Sequence, residues 1–446
     1  MLLLVALAGC ATLPPSPGPA SSSPPSLPLG AAEAIERIYA PGPDAVRGDE
    51  MPRDDNATTL ALEQVLAIAQ RRNPAFDVFA ANREAARAEV LQSLAYPNPE
   101  LEITGGAATA REAPRDSALE YGVGLVQPIE LGAKRRARQA AAEALLPVAQ
   151  REEDVFRATL RGDVAKAYHT VLYHERALEL ARAALRTERE IGQIVARRVE
   201  GGEAPEIDQV KQRVEMLKAS GAVRSRERQL ASARAVLNAL CGRALPPGFR
   251  LQDALENPLA APDLEQARQI AQGRHPALRR LEAVLRQKER IVERERKAWY
   301  PDLKPGVNAG REMDADSVGV SLGVELPLWN RNQGGIAAAE ADLAEARAEM
   351  ERARLEVLTG LDTAAQACEG AREQLSAFRG GLRSAAAEAL RIETFLYQEG
   401  EVDFLHLQDA RRTARQTEVE YLQALYDAQI ARAEFERAVG IGGNEE

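Results

Sequence analysis

The clearest alternation of apolar and polar positions in the chain runs from Val318 to Leu326. Val318, Val320, Leu322, Val324 and Leu326 fall on one face of an extended strand, and Gly319, Ser321, Gly323 and Glu325 on the other. That two-faced pattern suits a membrane barrel with lipid outside and water inside, and equally a half-buried strand of a soluble sandwich. Two further strands are expected at Glu100–Ala107 and Leu119–Gln127. The second sets Leu119, Tyr121, Val123 and Leu125 against Glu120, Gly122 and Gly124. The charged stretches Arg111–Ser117 and Arg311–Asp316 read as loops within strand pairs.

Elsewhere the period is three to four. A helix capped by Thr58 or Thr59 carries Leu60, Val65, Leu66 and Ile68 until Asn73-Pro74 interrupts it, and a second runs from Phe76 to Ala95. A long helix is expected from Lys134 to Val199, with Val164, Ala167, Val171, Leu178, Ala181 and Leu185 on one side and a bend at Pro147. The stretch Glu200–Pro205 breaks it, and a helix from Glu206 to Leu240 returns antiparallel. After the Val318–Leu326 strand a helical pattern continues for about 60 residues, a rod of roughly 95 Å. Leu361, Ala364, Cys368, Ala371, Leu375, Phe378, Leu382 and Ala385 form a heptad seam along it, so the rod packs against other helices.

This order occurs twice. The run Ile270–Leu278 echoes Ile68–Phe76, with Pro276 lying 202 positions (276 − 74) after Pro74. Tyr300-Pro301 echoes Tyr96-Pro97, Pro327 echoes Pro128, Gly400 echoes Gly202, and Gly440 echoes Gly242. The expected organisation is a first repeat at 58–242, a linker at 243–262, a second repeat at 263–440 and a tail at 441–446. Four strands cannot close a barrel, and an open edge in lipid leaves backbone groups unpaired. A membrane role therefore requires several copies of the chain in a ring, with the helices forming a tube beyond the strands.

Composition agrees with long helices in mutual contact: 45% of residues are hydrophobic but only 4% aromatic. A net charge of −10, with Lys and Arg dispersed among Glu, argues against a nucleic-acid partner. No apolar run reaches the roughly 18 residues of a spanning helix, so a membrane passage falls to strands. Residues 1–10 end in Leu-Ala-Gly-Cys10, which resembles a bacterial lipoprotein signal whose cysteine is lipidated, although no basic residue precedes Leu2. The Pro/Ser-rich stretch 11–57 follows as a tether, and the resemblance to such lipoproteins implies that Ala11, rather than Asp, suits sorting to the outer membrane. Cys368 lies on the seam as a small core residue, while a disulfide to Cys241 is possible in an oxidising periplasm.

Catalytic signatures are lacking. His169, His174, His275 and His406 show no metal-binding spacing, and no nucleophile elbow, P-loop or dinucleotide fingerprint is present. No enzyme activity, metal site or cofactor is expected beyond the lipid on Cys10. At the two helical turns, Gly202 and Gly400 suit a backbone with positive φ. Asp208, Glu401, Asp403 and Asp409 could ring a narrow pore and attract cations, or be ordinary solvated helix ends.

The lipobox, the duplication, the junctions Gln127-Pro-Ile-Glu-Leu-Gly132 and Leu326-Pro-Leu-Trp-Asn330, and the Tyr397-Gln-Glu-Gly400 turn resemble the TolC-like outer membrane efflux proteins. The junctions look closest to the heavy-metal branch of CzcC/CusC-like lipoproteins. The resemblance implies a mainly α fold with a membrane β-barrel portion: a homotrimer with a 12-stranded barrel in outer membrane lipid and a 12-helix cylinder in the periplasm. It implies passive conduction, with energy from an inner-membrane RND transporter coupled through a periplasmic adaptor at the tips. In the family, acidic residues after the tip glycine close the channel. Asp208 and Asp409 fit that pattern, whereas His406 departs from it and could make closure sensitive to pH or metal. Two rival functions are a conduit for drugs or proteins with the same fold, and a periplasmic coiled-coil adaptor. An adaptor would carry one hairpin in a β-rich chain, whereas here there are two.

Overall fold

The computed structural model describes residues 59–109, 117–256, 261–312 and 315–440. The lipobox at Cys10, the tether, Thr58, the tail and most of the Arg111–Ser117 loop lie outside the described residues. Helix is the dominant element, and the two halves of the chain follow one order.

In the first half, α1 (Leu62–Arg72) and α2 (Ala75–Leu94) precede the strands β2 (Glu100–Thr109) and β3 (Ser117–Val126). After the short β4 (Ile129–Glu130) come α3 (Lys134–Glu143), α4 (Leu145–Glu200) and α5 (Glu206–Leu240). The second half repeats this with α6 (Leu264–Arg274), α7 (Pro276–Lys297), β6 (Asp302–Glu312), β7 (Ala315–Val324), α8 (Gln333–Ala377), α9 (Arg383–Glu399) and α10 (Phe404–Val439). Two short strands, β1 (Thr59–Leu60) and β5 (Arg250–Leu251), pair in parallel beside the helices.

Several boundaries differ from expectation for physical reasons. Thr59 and Leu60 are strand rather than helix start, because the Leu60 carbonyl accepts from Gln252 N–H (3.0 Å) and the Tyr168 hydroxyl (3.1 Å). Helix α1 begins at Leu62, where the Gln64 side chain turns back to accept from Ala61 N–H. The bend expected at Pro147 is an interruption at Ala144, since a proline ring presses on the carbonyl four residues earlier, that of Glu143. The Arg311–Asp316 loop is shorter than expected, with Arg311 and Asp316 paired across β6 and β7. The long second rod is broken by a π-helical turn at Phe378–Leu382, in which Gly381 adopts φ +113°. The seam follows: Leu361, Ala364, Cys368, Ala371, Leu375 and Phe378 are buried, while Leu382 and Ala385 are exposed.

The main core gathers Val65, Leu66 and Ala69 of α1, Leu160, Val164 and Val171 of α4, Leu237 of α5 and Leu425 of α10. Cys241 and Cys368 both sit in it as free thiols, pushed up to about 11 by burial, so the possible disulfide is not formed. The duplication is visible in how α5 and α10 end. Gly242, at φ +64°, lies so close to α1 that a Cβ there would sit 2.1 Å from the Arg72 carbonyl oxygen. Gly440, at φ +84°, lies against His275 and Pro276 in the same way, with a Cβ 2.9 Å from Pro276 Cδ. The echoed glycines thus serve the echoed Asn-Pro and His-Pro corners.

Candidate functional site

Four antiparallel strands form one sheet in the order β2, β3, β6, β7, and β4 continues the line of β3 along β6. The register places Leu101 opposite Leu125, Leu125 opposite Val307 and Val307 opposite Val320. Directly opposite residues share a face, so this face also holds Ile103, Tyr121, Val123, Val318, Leu322 and Val324. It is bare: Val318 is 89% and Val320 88% exposed, and Ile103 and Leu322 are exposed too. A half-buried strand of a soluble sandwich would have covered these side chains. The other face carries Glu102, Thr104, Gly122, Gly124, Asn308, Gly319, Ser321 and Gly323.

The ends of the apolar face are marked by polar and aromatic groups. Toward the β6–β7 turn, Arg311 pairs with Asp316 at 3.2 Å, in register with Tyr121. Toward the helices, Trp329, Tyr96 and Trp299 are exposed, with the Arg135 guanidinium 3.9 Å above the Tyr96 ring. Aromatic residues at the rim of an apolar band are the composition of a membrane–water boundary. Among the described residues strands β2 and β7 each have one hydrogen-bonded neighbour, so both sheet edges are free there. Among the described residues no helix is long and apolar enough to cross a membrane.

At the opposite end of the rods are two turns. Gly202 (φ +74°) lies between α4 and α5, and Gly400 (φ +84°) ends α9, with Glu401 N–H donating to the Leu396 carbonyl at 3.0 Å. The Asp403 carboxylate caps α10, accepting from Leu405 N–H (3.0 Å) and His406 N–H (3.1 Å). Glu401, His406 and Asp409 are exposed, and Asp409 pairs with Arg412. Asp208 is buried instead, 3.8 Å from Lys211 Nζ and on the side of Tyr397. The positions six residues after each glycine are therefore unlike in environment as well as in residue type. His406 and Asp409 line a cavity of about 900 Å³ between the hairpins, and Asp208 does not. Among the described residues no three His, Cys, Asp or Glu side chains are grouped to hold a metal ion.

Residues that the sequence reading missed tie the two hairpins together. Arg198 donates to the Tyr397 carbonyl at 2.6 Å and to Glu203 O at 3.3 Å, and its guanidinium lies 4.6 Å above the Tyr397 ring. Nearer the core, Arg411 of α10 pairs with Glu188 of α4 and donates to Gln212 Oε1 of α5 at 3.3 Å. Gln212 Nε2 donates to the Glu188 carboxylate at 2.9 Å and to its carbonyl at 2.7 Å. The available signal was polar residues at seam spacing: Glu188 precedes Ile191 and Val195, and Arg411 follows Phe404 and Leu407.

This combination of a bare two-faced sheet and paired rods is that of the outer membrane efflux protein family, to which the chain belongs, matching it over residues 65–243 and 267–441. The two matched stretches fall one in each half of the chain. Among its relatives, the cobalt-zinc-cadmium resistance protein CzcC of Cupriavidus metallidurans is 29% identical over 93% of this chain and 99% of its own length. The nickel and cobalt resistance protein CnrC of the same organism is 30% identical over 66% of this chain and 69% of its own. These relatives bear out the resemblance to the heavy-metal branch. Of solved structures, a membrane protein of Pseudomonas aeruginosa superimposes with a TM-score of 0.73 at 21% identity, covering 91% of this chain and 97% of that one. CusC gives a TM-score of 0.73 at 18% identity, covering 89% and 95%. The fold is that of outer membrane channels, and the relatives are efflux proteins rather than enzymes.

Proposed function

We propose that the chain is the outer membrane channel of a tripartite efflux system and conducts heavy-metal cations passively out of the periplasm. The observation that carries this reading is the sheet, with its bare apolar face, its glycine-rich polar face and its two free edges. Edges exposed to lipid are costly, so copies join edge to edge into a barrel, three chains supplying twelve strands. The polar face then becomes the wall of a water-filled pore. Metal resistance in the names of the relatives supports a metal cargo over drugs or proteins. Membership of the efflux family over both halves of the chain supports the channel over a periplasmic adaptor.

In this reading Cys10 carries the lipid anchor, and an inner-membrane RND transporter supplies energy. A periplasmic adaptor meets the turns at Gly202 and Gly400. The turns that carry Asp208 and Asp409 are repeated around the ring near its narrowest point, with Glu401, Asp403, His406 and Asp409 exposed there and Asp208 buried behind them. The reading calls for no catalysis and no cofactor. The test is single-channel conductance of the purified full-length protein in planar bilayers, for wild type and Asp208→Ala/Asp409→Ala. A stable conductance that rises in the variant is expected. Absence of conductance from both, with a monomeric or dimeric mass in detergent, would overturn it.

A further inference from the structure

We infer that the cleft between the lead-in to β2 and the exit of β3 binds the headgroup of an anionic phospholipid of the surrounding membrane, with Arg135 holding the phosphate and one site in each chain. This deepens the channel reading and rests on it.

The cleft has a volume of about 620 Å³ and is walled by Pro97, Pro99, Gln127, Pro128 and Ile129, with Arg135 at its helical end. It continues the bare apolar face of the sheet. Ile129 stands opposite Leu303, which stands opposite Val324, so all three share that face. The Gln127 side chain ties the two walls, its Nε2 donating to the Pro97 carbonyl at 2.9 Å and to the Pro128 carbonyl at 3.0 Å. The proline rings add apolar surface and no N–H that would need a partner in lipid. Both walls adjoin strands that are neighbours within one chain, so joining copies at the β2 and β7 edges leaves the cleft open.

The chemistry at the helical end suits a phosphate. Arg135 Nε donates to the Leu94 carbonyl at 3.2 Å, and the guanidinium lies 3.9 Å above the Tyr96 ring. These contacts cap α2 and fix the fork, yet leave both Nη groups without a hydrogen-bond partner among the described residues. Glu130, the acidic residue on the cleft wall, is engaged by Arg138, and Lys134 pairs with Asp302 at 2.8 Å, so neither carboxylate cancels the charge of Arg135. A forked donor matches two oxygens of a phosphate, and a cation at the border of an apolar surface favours a lipid of net negative charge. The second copy shows that the strand-to-helix junction does not itself demand this arginine. Helices α3 and α8 start from the same left-handed backbone, Ala133 at φ 62° and Asn332 at φ 59°, 199 positions apart (332 − 133). At that offset Arg135 corresponds to Gly334 and Arg136 to Gly335. Tyr300, the counterpart of Tyr96, is approached instead by Lys297 Nζ, 5.3 Å from its ring, a point charge without the fork.

The experiment reconstitutes the full-length protein into vesicles of equal parts phosphatidylglycerol and phosphatidylethanolamine, selects inserted protein by flotation, extracts it in a mild non-ionic detergent and identifies the phospholipid that stays bound by mass. Wild type is expected to retain phosphatidylglycerol over phosphatidylethanolamine by about fivefold. Arg135→Gln should bring that ratio close to one, while Lys297→Gln, which removes the rim cation of the second copy, should keep the wild-type ratio. A purely capping role for Arg135 would alter stability and leave the ratio alone. If Arg135→Gln does not insert, Tyr96→Leu decides, since Tyr96 is 70% exposed and its ring supports only the guanidinium; the ratio should fall at least twofold. Inserted, conducting protein that retains both lipids alike, or an Arg135→Gln variant that keeps the wild-type ratio, would overturn the site and leave the channel standing. Equal losses in Lys297→Gln and Arg135→Gln would also overturn it, reducing the preference to the general charge of the rim. Wild type that neither floats with vesicles nor conducts would overturn the channel reading and the site together.

Discussion

At the scale of single residues, burial has set the chemistry of the core rather than of a reaction centre. His169 is buried on α4, its Nδ1 has no hydrogen-bond partner, and burial together with Arg432 pushes its pKa down to about 4. A folded pKa below the unfolded value of ~6.5 means that the unfolded chain binds the proton more readily. Stability is then whole above about pH 6.5 and is lost as pH falls toward 4, by on the order of 3 kcal/mol for this group. His174 and His275, also lowered by burial, act in the same direction. The thermal midpoint of wild type should fall between pH 7 and pH 5, and that of His169→Gln should fall less. Equal slopes for the two proteins would remove His169 from the account.

At the scale of elements, the break in the second rod is the feature that distinguishes the two halves. Gly381 sits at φ +113°, and a Cβ there would meet only Ser384 Oγ at an ordinary 3.7 Å, so Gly381→Ala meets backbone strain alone, costing about 1–3 kcal/mol. Its neighbour Gly380 is helical with nothing within 4 Å of a Cβ, so Gly380→Ala should stabilise by about 0.5–1 kcal/mol. Thermal melting of the two variants checks the contrast in sign, and a loss of similar size in both would contradict it. This break was not legible in the sequence, because the apolar spacing runs on through Leu382 and Ala385 even though the helix does not. The strands were legible, since alternation depends only on the two-residue period, and so was α5, fixed by Pro205 and the end of its pattern at Leu240. The interruption at Ala144 followed from Pro147 but was placed three residues late, where the ring is rather than where it presses. The Arg411 cluster went unread because polar residues at seam positions declare themselves only once three helices are side by side. Likewise Asp208 and His406 occupy equivalent places in the two copies, yet only packing separates the buried residue from the exposed one.

At the scale of the whole molecule, apolar surface left bare by one chain measures what the proposed ring would have to cover. Besides the sheet, Ile207, Val210, Val214 and Leu217 form an exposed stripe on α5 at spacings of three and four. Phe395 of α9 and Leu405 of α10 are exposed as well. A stripe of this kind is a seam without its partner, and in the proposed ring a neighbouring copy would supply one. Val210→Asp/Leu217→Asp should therefore leave the fold of the chain intact and shift the mass in detergent from ring to smaller species. A ring of unchanged mass would show that this stripe faces something else.

The free edges of β2 and β7 carry a genetic consequence. If a closed circle needs every edge matched, one defective copy is enough to leave a gap, whatever the quality of its companions. A chain whose β7 edge is spoiled while its β6 edge pairing and rods remain sound would enter mixed circles and poison them. Expressed beside the normal chain, it should act as a dominant negative, lowering export by more than its share of the population.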